Sequence, residues 1–234
     1  METTGSTTSK ERPIHFNAEM VNAILSGRKT MTRRIISEKT LHLFGVAASA
    51  GECHPIELCD QRSQSYYLEF CPLGKTGDQL WVRETFALLG NEDGVCIDWK
   101  GNLIKGDEQD AARIYKASCE QKHGDYGLYS IPDSAYWKPD TSNMKYEGSW
   151  RPSIHMPRWA SRINLLITGV RVERLQAITL GNICKEIGCS LYEFIPATYG
   201  FQVWEELWRS IYGEENWQAN PWVWVIEFER KEAK

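Results

Sequence analysis

Met20, Val21, Ile24 and Leu25 recur at the spacing of one helical face, with Asn17 placed to cap the first turn and Gly27 placed to end the last. This predicts a short helix from about 17 to 26. Ile178, Ile183 and Ile187 pack down a second, opened by Thr179 and ended by Gly188. The longest amphipathic run is Phe201, Trp204, Leu207, Trp208 and Ile211, which predicts a core-facing helix over 199–213. Alternation takes over elsewhere. Tyr66, Leu68 and Phe70 read as a strand, as does Leu80 to Phe86. Ile163, Leu165 and Ile167 predict another strand; Val170, Val172 and Leu175 predict the next after Thr168-Gly169. Trp222 to Phe228 is apolar at nearly every position, as a strand buried on both faces would be.

Between these elements the pattern fails. Residues 1–12 are small and polar and read as a disordered leader. Residues 37–64 read as an irregular excursion. Residues 88–149 read as a long insertion rich in Gly, Asp and Lys, with short strands expected at Val95–Trp99 and Ala112–Tyr115. Short strands, few helices and no regular βα alternation predict one α+β domain over 13–234, built on a small closed β-sheet with short helices over it.

Composition narrows the partners. The 234 residues are 42% hydrophobic, enough for a sizeable core, and the formal net charge is −4. An acidic chain is a poor match to a broad grip on nucleic-acid backbone, although a local basic pocket is compatible with it. An RNA binder should show a basic track leading from such a pocket, and Arg151, Arg158 and Arg162 are the arginines available for one. Ten tryptophans imply an aromatic core with one or two rings available to stack on a base. Seven cysteines, without a CxxC pair, imply free thiols in a reducing, cytoplasmic setting. No apolar run approaches membrane-spanning length. Cys53, His54, Cys59 and Cys71 share one segment, but their spacing follows no zinc pattern, so neither a metal nor any other cofactor is expected.

The stretch with the densest chemistry is SGRKTMTRR, Ser26 to Arg34, where Arg28, Lys29, Arg33 and Arg34 crowd around Thr30 and Thr32. Two readings are open at this point. The cations answer the negative end of the preceding helix dipole, or they surround an anion or nucleotide pocket with a reactive lysine. Glu186 supplies an independent sign, since it stands near the C-terminus of its predicted helix, where the dipole disfavours a carboxylate. Glu84, inside a strand of mixed burial, points either to solvent or into a pocket. The segment WRPSIHMPRWASR adds His155 and Arg158 as structural or pocket residues.

GRKTMTRR after a short helix, GDQLWVRE within a CPxGxxGDxLWVRE stretch, RWASRINLLITGVRVERLQAIT and the closing NPWVWVIEFER together resemble the ASCH domain family of the PUA-like superfamily. The closest likeness is to phage and prophage ASCH proteins, and it covers roughly 13–36, 65–87 and 150–230. It implies a closed PUA-like β-barrel whose pocket receives RNA or a modified nucleoside. Small bacterial members include an amidohydrolase acting on N(4)-acetylcytidine. By resemblance to it, Lys29, Thr32 and Glu186 form the catalytic group. Arg34 closes the same motif and Arg33 adds a charge beside it. With Glu84, His155 and Arg158, these two arginines are the expected substrate contacts. The expected activity is hydrolytic removal of an acyl group from a modified cytosine nucleoside. The alternatives are a non-catalytic module that binds RNA or a modified base, and a ribonuclease using the same pocket. One geometric condition applies. On a regular strand Lys29 and Thr32 would face opposite sides, so the chain must turn between them.

Overall fold

The computed structural model describes residues 9–58, 61–89, 95–98, 100, 102–104, 106, 108–119 and 150–231. In chain order it runs through β1 (Glu11–His15), α1 (Ala18–Leu25), β2 (Met31–Ile35), α2 (Glu38–Ser49), α3 (Gln61–Leu68), β3 (Gln79–Arg83), β4 (Phe86–Leu88) and β5 (Arg113–Tyr115). It continues with β6 (Asn164–Arg174), α4 (Leu180–Ile187), α5 (Ala197–Tyr212), α6 (Glu214–Gln218) and β7 (Trp222–Lys231).

Five strands form one mixed sheet in the order β1-β3-β6-β7-β2, and β4 and β5 form a separate antiparallel pair. β1 lies parallel to β3; the other neighbours are antiparallel. β7 sits second from one edge and uses the two-residue period fully. Trp222, Trp224, Ile226 and Phe228 pack on one face with α1, α2 and α3, through Val21, Ile24, Phe44 and Tyr67. Val223 and Val225 pack on the other face with α4 and α5, through Ile183, Trp204 and Trp208. The molecule is therefore three layers, with the sheet between two sets of helices.

The α+β class agrees with expectation, but the closed barrel does not. β1 and β2 are both free edges of an open sheet, and among the described residues no ladder joins them. Side chains occupy the place where closing bonds would run. The Arg34 guanidinium reaches from β2 and donates to the His15 carbonyl at 3.1 Å, lying 5.4 Å from the centre of the Phe16 ring. A barrel needs a continuous backbone ladder around its girth, and here one arginine bridges the gap.

Local expectations divide the same way. Asn17 caps α1, accepting the Met20 N–H at 2.8 Å, and α4, α5 and β7 lie where periodicity places them. The two strands expected around Thr168-Gly169 are one strand, β6, with a bulge between Ile167 and Gly169. Glu11 and Arg12, expected in a disordered leader, form the start of β1; residues 1–8 lie outside the described residues. The 37–64 excursion contains a whole helix, α2, capped by Ser37, and the first turn of another. Tyr66 and Leu68, read as strand, belong to α3, which buries Ser63 and Tyr67 one helical turn apart. In the 88–149 stretch β5, Arg113–Tyr115, holds most of the strand expected at Ala112–Tyr115, while within Val95–Trp99 Ile97 makes an isolated bridge to Leu103. Trp99 and 120–149 lie outside the described residues. No helix among the described residues is long and apolar enough to cross a membrane.

Candidate active site

The basic stretch begins in a turn and ends in a strand. After α1, Gly27 takes a positive φ of 74°, and the backbone N–H groups of Arg28 and Lys29 both donate to the Ala23 carbonyl, at 2.9 and 3.0 Å. The chain then passes across the C-terminal end of α4. Arg28 Nη1 donates to the Gly188 carbonyl at 2.6 Å, Thr30 N–H to the Lys185 carbonyl at 3.1 Å, and Lys29 Nζ to the Glu186 carbonyl. Three successive residues thus satisfy the carbonyls that a helix end leaves open, and two of them bring positive charge to its negative pole. Gly188 permits this approach. It holds φ at 84°, and a Cβ there would lie 2.7 Å from the Ala23 Cβ and 3.3 Å from the Lys29 nitrogen.

Lys29 is 2% exposed. Its ammonium donates to the Met31 carbonyl at 2.7 Å and to the Glu186 carbonyl, and it forms an ion pair with Glu186 Oε1 at 3.7 Å. It also lies 5.5 Å from the centre of the Phe16 ring. Burial lowers its pKa to about 8, with Arg34 and Arg33 adding to the fall and Glu186 opposing it. The Glu186 carboxylate is buried too. Oε1 accepts the Arg33 backbone N–H at 2.9 Å, and Oε2 faces Arg33 Nη1 at 3.3 Å. Arg33 turns its other nitrogen, Nη2, to Glu173 at 3.1 Å. The carboxylate placed against its own helix dipole is thereby answered by two buried cations.

A cavity of about 300 Å³ lies against this cluster, between β1, β2, α4 and α5. Its polar lining is His15, Asn17, Arg33, Arg34 and Glu186, and its apolar walls include Phe16, Met20, Trp204, Trp208 and Tyr212. That is a size and mixture suited to a small planar ligand. The pKa of His15 is lowered, first by burial and then by the neighbouring Arg83 and Arg34 charges, so its imidazole is neutral at pH 7.

Of the eight site residues expected from sequence, the structure joins five. Lys29, Arg33 and Glu186 form one ion-pair cluster. Thr32 connects to it through Arg34, whose Nη1 donates to the Thr32 hydroxyl at 2.6 Å and to the Arg33 carbonyl at 2.8 Å. The turn nearby lies before Lys29, at Ser26–Gly27, and not between Lys29 and Thr32, as the triad required, and the cavity is lined by Glu186, Arg33 and Arg34 and not by Lys29 or Thr32. The other three residues are elsewhere. Glu84 is buried against Arg162 in a two-pronged pair at 2.8 and 2.9 Å. Arg158 grips Glu11 at 2.9 Å and Asn164 at 2.9 Å, and His155 is exposed in a short 3₁₀ turn. None of the three lines the cavity. His15, Phe16, Trp204, Trp208 and Tyr212 were not expected there. For Trp204, Trp208 and Tyr212 the sequence signal was an aromatic stripe at i, i+4 and i+8 on α5, which also describes an ordinary core helix, while His15 ends, and Phe16 follows, a short edge strand.

Cys71 is buried and Cys53 half-buried, while Cys59 lies outside the described residues. Among the described residues no group of three or more His, Cys, Asp or Glu side chains is placed to hold a metal ion.

The buried lysine ties stability to pH. Its folded pKa, about 8, lies below its ordinary 10.5. The unfolded chain therefore holds the proton more tightly between those values, and stability rises with pH across that window as the folded form sheds a costly charge. Urea unfolding of the parent and of Lys29→Met at pH 7.5 and 10 should show the parent gaining roughly 2–3 kcal/mol relative to the variant. A constant difference between the two proteins would reject the lowered pKa.

No protein-family model matches this chain, nor does any curated protein or solved structure.

Proposed function

We propose that this chain is an ASCH-type hydrolase that removes the acyl group from an N(4)-acylated cytosine nucleoside. The observation that supports the reading is a buried lysine–carboxylate pair set directly behind an aromatic-walled cavity. Glu186 is the member of the pair that lines the cavity, so it meets the attacking water. Neutral Lys29 receives the proton behind it. Water oxygen bonds to the acyl carbon, the C–N4 bond breaks, and the proton passes back through Glu186 to the departing amine. Arg34 holds the cavity edge, and Thr32 positions Arg34.

A free nucleoside suits the site better than a polymer. Arg151, Arg158 and Arg162, the arginines available for an RNA track, each hold a carboxylate: Glu108 at 2.8 Å, Glu11 at 2.9 Å and Glu84 at 2.8 Å. The six cysteines among the described residues are free, which supports a reducing compartment, the cytoplasm.

A second reading, a non-catalytic module for the same modified base, has its own observation. The Lys29 ammonium donates two hydrogen bonds to backbone carbonyls and lies 3.7 Å from the Glu186 carboxylate, an arrangement that favours the charged form, which cannot act as a base. Incubation with N(4)-acetylcytidine and chromatographic detection of cytidine separates the two. The hydrolase reading expects cytidine to form, and more rapidly as pH rises through about 8 and Lys29 loses its proton. Saturable binding without turnover at any pH would reject hydrolysis in favour of the binding module.

A further inference from the structure

The ion pairs around the candidate cavity balance without Arg34. Lys29, Arg33 and Arg171 are matched by Glu186, Glu173 and Glu227. Arg34 lines the cavity and has no carboxylate partner among the described residues. Its partners are neutral: the Thr32 hydroxyl and the Arg33 and His15 carbonyls. Those bonds use both Nη1 protons and one Nη2 proton, so part of the guanidinium fork is uncommitted. The side chain is half-buried, and its Nε, unlike the Nε atoms of Arg33 and Arg83, is not sealed from solvent. A second cation of this kind stands nearby. The β1–β3 register sets His15 beside Arg83. Arg83 lies 4.8 Å from the Trp81 ring centre and donates to the Ile154 carbonyl, and it too has no carboxylate partner among the described residues. His15 therefore sits between two positive charges, both of which help to lower its pKa.

Depth divides the lining of the cavity. Glu186, Arg33, Trp204 and Trp208 are buried, whereas His15 and Asn17 are exposed and Arg34 is half-buried. The unmatched positive charge is thus at the mouth and the carboxylate is on the floor. We infer that the cavity takes its cytosine ligand as a nucleotide, with the base between Phe16 and the α5 aromatics and a phosphate monoester at the mouth against Arg34, His15 and Arg83. A cavity of about 300 Å³ is small for a ligand site, which leaves the phosphate outside its interior. A phosphate monoester carries about −1.5 to −2 charge at pH 7, and its oxygens suit an arginine fork. Glu186 does not oppose it, because Lys29 and Arg33 already answer that carboxylate. The inference rests on the reading of the cavity as a cytosine nucleoside site, and it adds the group that the sugar carries.

The test is calorimetric titration of the full chain with cytidine, cytidine 5′-monophosphate (CMP) and the dinucleotide CpC, none of which carries an acyl group to be consumed. N(4)-acetylcytidine titrated into Lys29→Met reports on the cavity itself. CMP should bind roughly 10- to 100-fold more tightly than cytidine, the effect of one or two charge-assisted hydrogen bonds, and high salt should shrink that difference. Arg34→Gln should abolish the difference, and Arg34→Lys, which keeps the charge, should retain part of it. Arg34 also bridges β1 and β2, so the parent supplies a reading independent of any Arg34 variant. Its His15 imidazole signals, assigned by their absence in His15→Gln, should titrate at higher pH with CMP bound than with cytidine bound. Equal affinity for CMP and cytidine, with N(4)-acetylcytidine still bound, would overturn the phosphate contact and leave the nucleoside reading standing. Tighter binding of CpC than of CMP would overturn the monoester in favour of a nucleic-acid strand. No binding of any of the four would overturn the contact and the cavity reading together.

Discussion

The Lys29→Met variant is expected to fold at least as well as the parent at neutral pH and to lose about 10²- to 10⁴-fold of its rate on N(4)-acetylcytidine, the usual contribution of a general base. Both halves follow from burial. The side chain is 2% exposed, so the charge carries a desolvation cost that methionine, of similar length, does not. Replacing a buried ion by an apolar group of its own size is often neutral or stabilising. The partner is not stranded either, because Glu186 keeps the Arg33 guanidinium and backbone N–H. Thermal unfolding and turnover measured on the same preparation check the two halves together. A stable variant that retains turnover within about threefold would remove Lys29 from the chemistry.

Glu186→Ala should behave in the opposite sense. It removes the one carboxylate shared by two fully buried cations, Lys29 and Arg33. Breaking a buried pair from one side typically costs about 3–5 kcal/mol, which in a chain of this size lowers Tm by roughly 10 °C. Arg33 retains Glu173, so most of the penalty falls on Lys29. The double variant Lys29→Met/Glu186→Ala should therefore recover part of the lost stability, with a coupling of about 0.5–3 kcal/mol. A single variant that melts within a few degrees of the parent, or a strictly additive double variant, would show that the cluster is not energetically joined.

Where one signal dominated, the sequence was readable. α1 and α4 each show a cap residue, an apolar stripe and a terminating glycine, α5 shows the stripe and the glycine, and β7 is too apolar for anything but a buried strand. Glu186 was legible for a physical reason, because a carboxylate at the wrong end of a helix must be answered by cations, and Lys29 and Arg33 answer it. α2 was hidden because it buries only Phe44 and Ala47 and carries Gly45 in its interior, so its stripe is faint. Three alternating residues around Tyr66 fit a strand as well as the end of a helix, and only the tertiary contact of Tyr67 with Phe44, ring centres 4.8 Å apart, decides between them. Glu84 misled because a buried carboxylate in a strand has the same sequence signature whether it faces a ligand or, as here, an arginine 78 residues away. Open and closed sheets use the same strands. The difference lies in whether β1 and β2 meet, and no local pattern records that.

The position of β7 has a consequence for the order in which the protein is made. β2, which carries Thr32, Arg33 and Arg34, pairs with no strand except β7 among the described residues. Ile35 and Val223, paired at one end of that ladder, lie 188 positions apart (223 − 35). A ribosome adding 5–20 residues per second takes roughly 10–40 s to cover that distance. Through that interval the nascent site strand has no ladder partner, so it is the last part of the sheet to be secured as the chain emerges.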